Sequence, residues 1–226
     1  MSLNTHQLTV PRTAHYCTLG EAGAQTRYFW IACHGYGQLA KEFIQPFEHI
    51  AAEDTFILAP EGLSRFYWGG FSGKPVASWM TSEGRLEEIA DFCNYLSILY
   101  NHYLHLLSPE VKIILFGFSQ GCATQLRWIM RAFPRFHHLV LWAGSVPEDL
   151  DYQTRLDYFS DKDLHYVYGT KDQFLGPARL AEQRQLVFRS GLQFQEHTFE
   201  GKHVVEREAL QRLSAIFRQT GENLQR

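Results

Sequence analysis

The sequence lacks a charge excess of either sign. It carries 21 Lys plus Arg against 24 Asp plus Glu, a net charge of −3, and no long run of like charges, which excludes the basic footprint of a nucleic-acid-binding protein. Long apolar runs are also missing. Stretches such as Tyr28 to Cys33 and Ile113 to Phe118 fall far short of the roughly 20 residues that cross a bilayer, so no transmembrane segment is expected. The first seven residues, Met1 to Gln7, have neither the basic start nor the apolar stretch of a secretory signal. The four cysteines, Cys17, Cys33, Cys93 and Cys122, lack the short paired spacing of metal or redox sites. They read as reduced thiols of a cytoplasmic protein. No repeat, low-complexity tract or linker divides the chain. What remains is a 226-residue chain, 45% hydrophobic and 15% aromatic, well outside the disordered range and the right size for a single domain over residues 1–226.

Buried apolar runs alternate with amphipathic stretches, the pattern of an α/β protein with a mostly parallel sheet covered on both faces. The expected strands are Tyr28 to Cys33, Thr55 to Ala59, Lys112 to Phe116, His138 to Trp142 and Leu164 to Tyr168. Phe194 to Phe199 alternates polar with apolar residues and reads as an edge. Gln7 to Val10 and His15 to Leu19 could form an N-terminal hairpin. Helices are expected at Leu39 to Glu53, Glu83 to Leu106, Gln120 to Phe133, Pro177 to Arg189 and Val204 to Gln219. The longest places Leu86, Ile89, Ala90, Cys93, Leu96, Leu99, Tyr100, Tyr103 and Leu107 in one apolar stripe. The connection from Pro60 to Ser82 is unusually long and rich in Gly and aromatic residues, and could wall a pocket. Its exposed aromatics could equally support a dimer contact. Only a short excursion separates Trp142 from Leu164, too little for a large lid.

Gly117-Phe118-Ser119-Gln120-Gly121 fits G-x-S-x-G in the required setting, after an apolar strand and before a helix. A strand turning directly into a helix forces a tight corner at the serine, with glycines where a Cβ would collide with backbone. The serine is then presented at the carboxyl edge of the sheet beside a helix N-terminus. A serine hydroxyl needs a base, itself oriented by a carboxylate. Of eleven histidines, His203 is the best placed, because Gly201-Lys202-His203 follows the last strand. His197 lies within that strand, His102 and His105 lie on the long helix, and His137 and His138 sit at the opposite edge of the sheet. Asp172, just beyond the strand ending in Val167-Tyr168-Gly169, is the expected acid. Glu148, Asp149 and Asp151, after the preceding strand, are the alternatives. His34-Gly35-Tyr36-Gly37 follows the second strand and lets the backbone approach the nucleophile, so the amides of Tyr36 and Gln120 are the expected oxyanion donors. His34 reads as a brace for that loop.

HGYG at 34–37, APEG at 59–62, GFSQG at 117–121, YGTKD at 168–172 and GKH at 201–203 together resemble the phospholipase/carboxylesterase family, which includes acyl-protein thioesterases. The resemblance covers nearly the whole chain. It implies an α/β-hydrolase fold with little or no lid, and a Ser119–His203–Asp172 triad that hydrolyses ester or thioester bonds of small molecules with apolar acyl groups. No metal or organic cofactor is implied. The chain departs from the family at Gln38, where Asp is usual, and at Cys122, where a second Gly is usual. Phe66, Tyr67, Trp68, Phe71 and Trp79 are the expected pocket walls, since an apolar acyl group gains binding energy from buried aromatic surface. Two rival functions use the same residues: a peptidase or amidase, and a hydrolase-fold binding protein without turnover.

Overall fold

The computed structural model describes residues 2–223, with side chains through residue 219. One seven-stranded sheet organises it, in the spatial order β1-β3-β2-β6-β7-β8-β9. These strands are β1 (Tyr16–Leu19), β2 (Tyr28–Cys33), β3 (Thr55–Pro60), β6 (Lys112–Phe118), β7 (His138–Trp142), β8 (Asp163–Gly169) and β9 (Phe194–Phe199). Only β1 runs antiparallel, against β3; every other pairing in this sheet is parallel. The expected strands and the expected fold class are therefore present. The N-terminal hairpin is not: residues 7–10 form no strand, and β1 spends its hydrogen bonds on β3.

Both faces of the sheet are covered, as parallel strands require. In β2, Phe29 packs toward α2 (Arg85–Leu104) at Tyr103, with ring centroids 6.4 Å apart. Its neighbour Trp30 points the other way, 5.6 Å from Phe217 of α6 (Arg207–Asn223), the period-2 alternation of a strand. α3 (Gln120–Ala132) packs on α2. It carries the buried Gln125, whose side-chain amide donates to the backbone carbonyls of Ile31 and Phe116.

Three sequence expectations are corrected here. The helix expected at Leu39 to Glu53 splits into α1 (Ala40–Phe43) and a 3-10 turn, Gln45–Ile50, because Pro46 has no N–H to continue the α ladder. On α2, Leu86 is 72% exposed while Phe92 and Tyr95 are buried, because Phe92 packs edge-on against Trp79 and the Tyr95 hydroxyl donates to His15 O, so the buried face is wider than one stripe. The connection Pro60 to Ser82 is not a coil: β4 (Ser64–Trp68) and β5 (Lys74–Ser78) pair as a separate antiparallel hairpin. α4 (Leu156–Phe159) is the only α-helix between β7 and β8 among the described residues, so the excursion there stays small. α5 (Pro177–Ser190) begins at Pro177 and ends at Gly191 with φ +76°, as the Pro and Gly signals predict. All four cysteines are free. No helix is long and apolar enough to cross a membrane among the described residues.

The chain leaves β2 for β3 on one side and later returns to place β6 on the other. Such a reversal opens a crevice at the carboxyl ends of the two strands, where ligands of open α/β sheets bind. The loop after β2 holds residues 34–38, and β6 ends directly before Ser119.

Candidate active site

Ser119 links β6 to α3 with φ +53° and ψ −115°, a conformation that costs a non-glycine residue of order 1–3 kcal/mol. Its surroundings impose the corner. A Cβ on Gly117 would strike the backbone of Gly121 and Cys122, and one on Gly121 would strike the Cys33 and His34 carbonyls. The Ser119 N–H donates to Trp142 O at 2.8 Å, and Cys122 N–H returns to Ser119 O at 3.1 Å. Ser119 occupies the N-cap position of α3, yet its side chain makes no capping bond. A serine there ordinarily caps; here the hydroxyl makes no capping bond to the helix it precedes.

His203 and Asp172 meet. His203 Nδ1 lies 2.7 Å from Asp172 Oδ2, and the Asp172 side chain is fully buried while that of His203 is 16% exposed. An ionised carboxylate only accepts, so Nδ1 carries the proton and Nε2 is left with a free lone pair. Asp172 Oδ1 accepts the Phe174 N–H at 2.8 Å. The two loops are laced together by Thr170 N–H to Phe199 O at 2.9 Å and Lys171 N–H to Gly201 O at 2.8 Å. Gly169 must be glycine, since a Cβ would meet the Gly201 carbonyl. The imidazole is flanked by Phe118, 4.9 Å away, and Phe174, 4.8 Å away edge-on. Phe118 immediately precedes Ser119, which brings His203 to the elbow. Of the alternative acids, Asp149 is taken up by Arg127 at 2.7 Å and Arg85 at 3.5 Å. His137 and His138 lie at the opposite edge as expected, His137 accepting the Ile113 N–H.

The loop after β2 is braced from beneath by His34, which is fully buried. Its Nε2 accepts the Gly62 N–H at 2.9 Å and its Nδ1 faces Gly35 O at 2.7 Å, so the proton sits on Nδ1. Burial lowers its pKa to about 4, keeping the ring neutral. Gln38 Oε1 accepts the Gly35 N–H at 2.8 Å, which closes the loop on itself without the family's usual carboxylate. The Tyr36 N–H has no hydrogen-bond partner among the described residues. The Gln120 N–H belongs to the first turn of α3, whose amides lack intrahelical acceptors. Both expected donors are thus available. Glu61, from the APEG segment, is buried and accepts the Ala40 N–H at 3.0 Å while holding Arg65 of β4 at 2.6 Å.

The hairpin lies against this loop. Gly37 N–H donates to Ala77 O at 2.9 Å, and Ala77 N–H to Gln38 O at 3.2 Å. Phe66 and Trp68, two apart on β4, share a face and meet Tyr36 at 5.3 and 5.6 Å between ring centroids. Gly37, with φ +77°, sits under the Trp68 ring, where a Cβ would have no room. Tyr67 alternates to the opposite face of β4, and Phe71, 98% exposed, stands at the hairpin tip. Trp79 is a correction. It is 1% exposed, stacks on His34 at 5.0 Å and donates from its indole N–H to His34 O at 2.9 Å. It is a buried support of the loop and presents no face to a substrate in this conformation.

Two tethers escape sequence reading. The Gln120 side chain accepts the Trp79 N–H at 3.1 Å and donates to Met80 O at 2.8 Å, clamping the strand exit of the hairpin to the residue beside Ser119. Trp142, fully buried, accepts the Ser119 N–H on its carbonyl and donates from its indole to Val204 O at 2.8 Å. Gln after the serine could have signalled the first. The second joins residues 62 apart in sequence, and no local pattern encodes it.

No curated protein matches the sequence. Among solved structures, the chain is similar to Zea mays acyl-protein thioesterase 2 (TM-score 0.70, 16% identity, covering 92% of this chain and 100% of that one). It is also similar to esterase PE8 (0.66, 15%, 92% and 99%) and to YahD, solved with malic acid (0.66, 18%, 92% and 100%). At these identities the likeness is one of fold. The family profile described as Phospholipase/Carboxylesterase matches residues 21–220, nearly the whole chain. The chain belongs to the phospholipase/carboxylesterase family of α/β hydrolases.

Proposed function

We propose that this esterase/thioesterase-type hydrolase cleaves carboxylic esters or thioesters with an apolar acyl group, through an acyl-serine intermediate on Ser119. The observation that carries this reading is the 2.7 Å contact between His203 Nδ1 and a fully buried Asp172, on the same sheet edge as an uncapped, strained serine. His203 Nε2 takes the Ser119 proton as Oγ bonds to the acyl carbon, and the carbonyl electrons move to oxygen. The amides of Tyr36 and Gln120 hold that oxyanion, each donor contributing about 10²–10³ in rate. Collapse breaks the bond to the alcohol or thiol, which leaves with the proton from His203. A water then repeats the sequence, His203 taking its proton and returning one to Ser119 Oγ as the acid departs. Asp172 holds the Nδ1 proton throughout and stabilises the imidazolium that forms when Nε2 takes its proton. Phe66 and Trp68, with Tyr36, supply the apolar wall for the acyl group, while Tyr67 and Phe71 stand apart from it. The four free cysteines support action in a reducing compartment.

The test is hydrolysis of p-nitrophenyl esters from acetate to palmitate by the intact protein and Ser119→Ala. Activity that vanishes in the alanine variant, with an optimum longer than acetate, is the expected result. Ester turnover that survives in Ser119→Ala would refute the assignment, and a folded protein inert on every ester would favour the binding-protein reading.

A further inference from the structure

The proposed acyl wall lies on one side of the reacting centre only. His203 commits Nδ1 to Asp172, so Nε2 alone must both receive the Ser119 proton and deliver it to the leaving atom. That atom must come within about 3 Å of Nε2. The first carbons of the alcohol or thiol therefore rest against whatever flanks the imidazole. Two rings do. Phe118 is buried, 5% exposed, and belongs to the strand beneath. Phe174 stands edge-on to the imidazole at 4.8 Å and is 63% exposed.

An apolar ring left open to water is ordinary when it is isolated; this one is held in place against the base. Its own N–H is fixed on Asp172 Oδ1, and the next residue, Leu175, is buried with its N–H on Asp172 O at 3.3 Å. The ring is thus carried by the same carboxylate that orients His203, on the His203 flank, whereas Tyr36, Phe66 and Trp68 gather on the oxyanion loop.

We propose that Phe174 forms the leaving-group side of the site, so that the preferred substrates are apolar on both sides of the scissile bond: acyl esters or thioesters of apolar alcohols or thiols. This rests on the triad reading above. Phe174 is then a specificity-determining residue that touches the departing group.

A structural role for Phe174, steadying His203, makes a different kinetic prediction. His203 works in both half-reactions, but the leaving group is present only during acylation. The experiment measures kcat/KM for butyrate esters of ethanol, butanol, hexanol and octanol, whose alcohols have similar acidity, in the intact protein, Phe174→Ala and Phe174→Leu. Deacylation of the butyryl-enzyme, formed from p-nitrophenyl butyrate, is followed in the same proteins. The expected result is a rise in kcat/KM with alcohol length in the intact protein. Phe174→Ala lowers the octyl ester about tenfold, the scale of a few buried methylenes, and leaves the ethyl ester within about twofold; Phe174→Leu restores most of the loss. Deacylation is unchanged. A flat dependence on alcohol length, an equal loss for every alcohol, or slowed deacylation overturns the proposal while leaving the triad standing. Turnover independent of Ser119, or none of any ester, overturns both.

Discussion

Acid should unfold this protein well above the range where its carboxylates titrate, because it buries histidines in the neutral form. His138 on β7 and His165 on β8 lie under α6, their rings 4.1 and 5.0 Å from Phe217, and His165 Nδ1 is 3.1 Å from His197 Nε2 on β9. His34 lies under the loop that follows β2. Burial lowers the pKa of each of His34, His138 and His165 to about 4. In the row under α6, neighbouring histidines add to the depression for both, and Lys112 adds to it at His138. Asp163 opposes it at His165 and lies 3.4 Å from His138 Nδ1. In the unfolded chain the same groups titrate near 6.5, so between those values the unfolded state holds more protons and stability falls as pH falls. From pH 7.5 to pH 5 the loss is about 2 kcal/mol per group, about 6 kcal/mol for these three, a large share of the 5–15 kcal/mol of a typical domain; His137, half-buried and also lowered to about 4, and His197, lowered by burial, add to it. Carboxylates with lowered pKa values, such as Asp54 and Asp149, each paired with an arginine, lose their stabilising charge only at lower pH. The assay is urea unfolding at several pH values between 7.5 and 5. His138→Phe should reduce the loss over the same window by about 2 kcal/mol, whatever it does to stability at pH 7.5. A stability that is level from pH 7.5 to 5, or a slope untouched in His138→Phe, would show that these rings are not held neutral by the fold.

Other perturbations separate support from contact. Trp79→Ala should cost about 3–5 kcal/mol in urea unfolding and lower turnover of acetyl and long-chain esters alike. Trp68→Ala should leave stability within about 1 kcal/mol and reduce long-chain esters selectively; reversed outcomes would exchange their roles. Gln120→Ala keeps the backbone amide but releases residues 79 and 80, and is expected to lower kcat about tenfold, the order of one weakened oxyanion donor, with KM little changed. Gly117→Ala, whose Cβ would meet Gly121 O, should fail to fold or lose more than about 3 kcal/mol, as measured by circular dichroism on melting.

The sequence was most informative where chemistry and backbone geometry impose the same residues. The buried strands are continuous apolar runs, and the glycines around Ser119 and at Gly169 are demanded by carbonyls packed against them. Such constraints are local, so they can be read along the chain. The hairpin β4–β5 was hidden because its turn glycines, Gly69, Gly70 and Gly73, and its alternation over only five residues per strand resemble an irregular loop. Trp79 reads as a pocket wall in sequence for a related reason. Tyr67, Trp68 and Phe71 before it in the chain are exposed, and only the packing of the hairpin exit on His34 and Gln120 buries it. On α2, periodicity counts one buried face; Phe92 and Tyr95 join it only once Trp79 and the segment at His15 are packed against the helix.

Trp142 shows how the separate pieces become one site. Its carbonyl receives the Ser119 N–H and its indole donates to Val204 O, one residue past His203. Its ring lies between Phe116 of β6, the strand that ends at Ser119, and Phe199 of the strand that leads to His203, with centroids 5.6 and 5.5 Å away. The elbow and the histidine loop are therefore tied to the same buried residue, one through its carbonyl and the other through its indole. Three strands come into register this way at the carboxyl edge. Removing the indole N–H by Trp142→Phe would release only the histidine side of this tether. Under the triad reading it should slow acylation and deacylation together, since His203 serves both, and leave leaving-group preference untouched. Loss confined to acylation would mean that Trp142 acts on Ser119 alone.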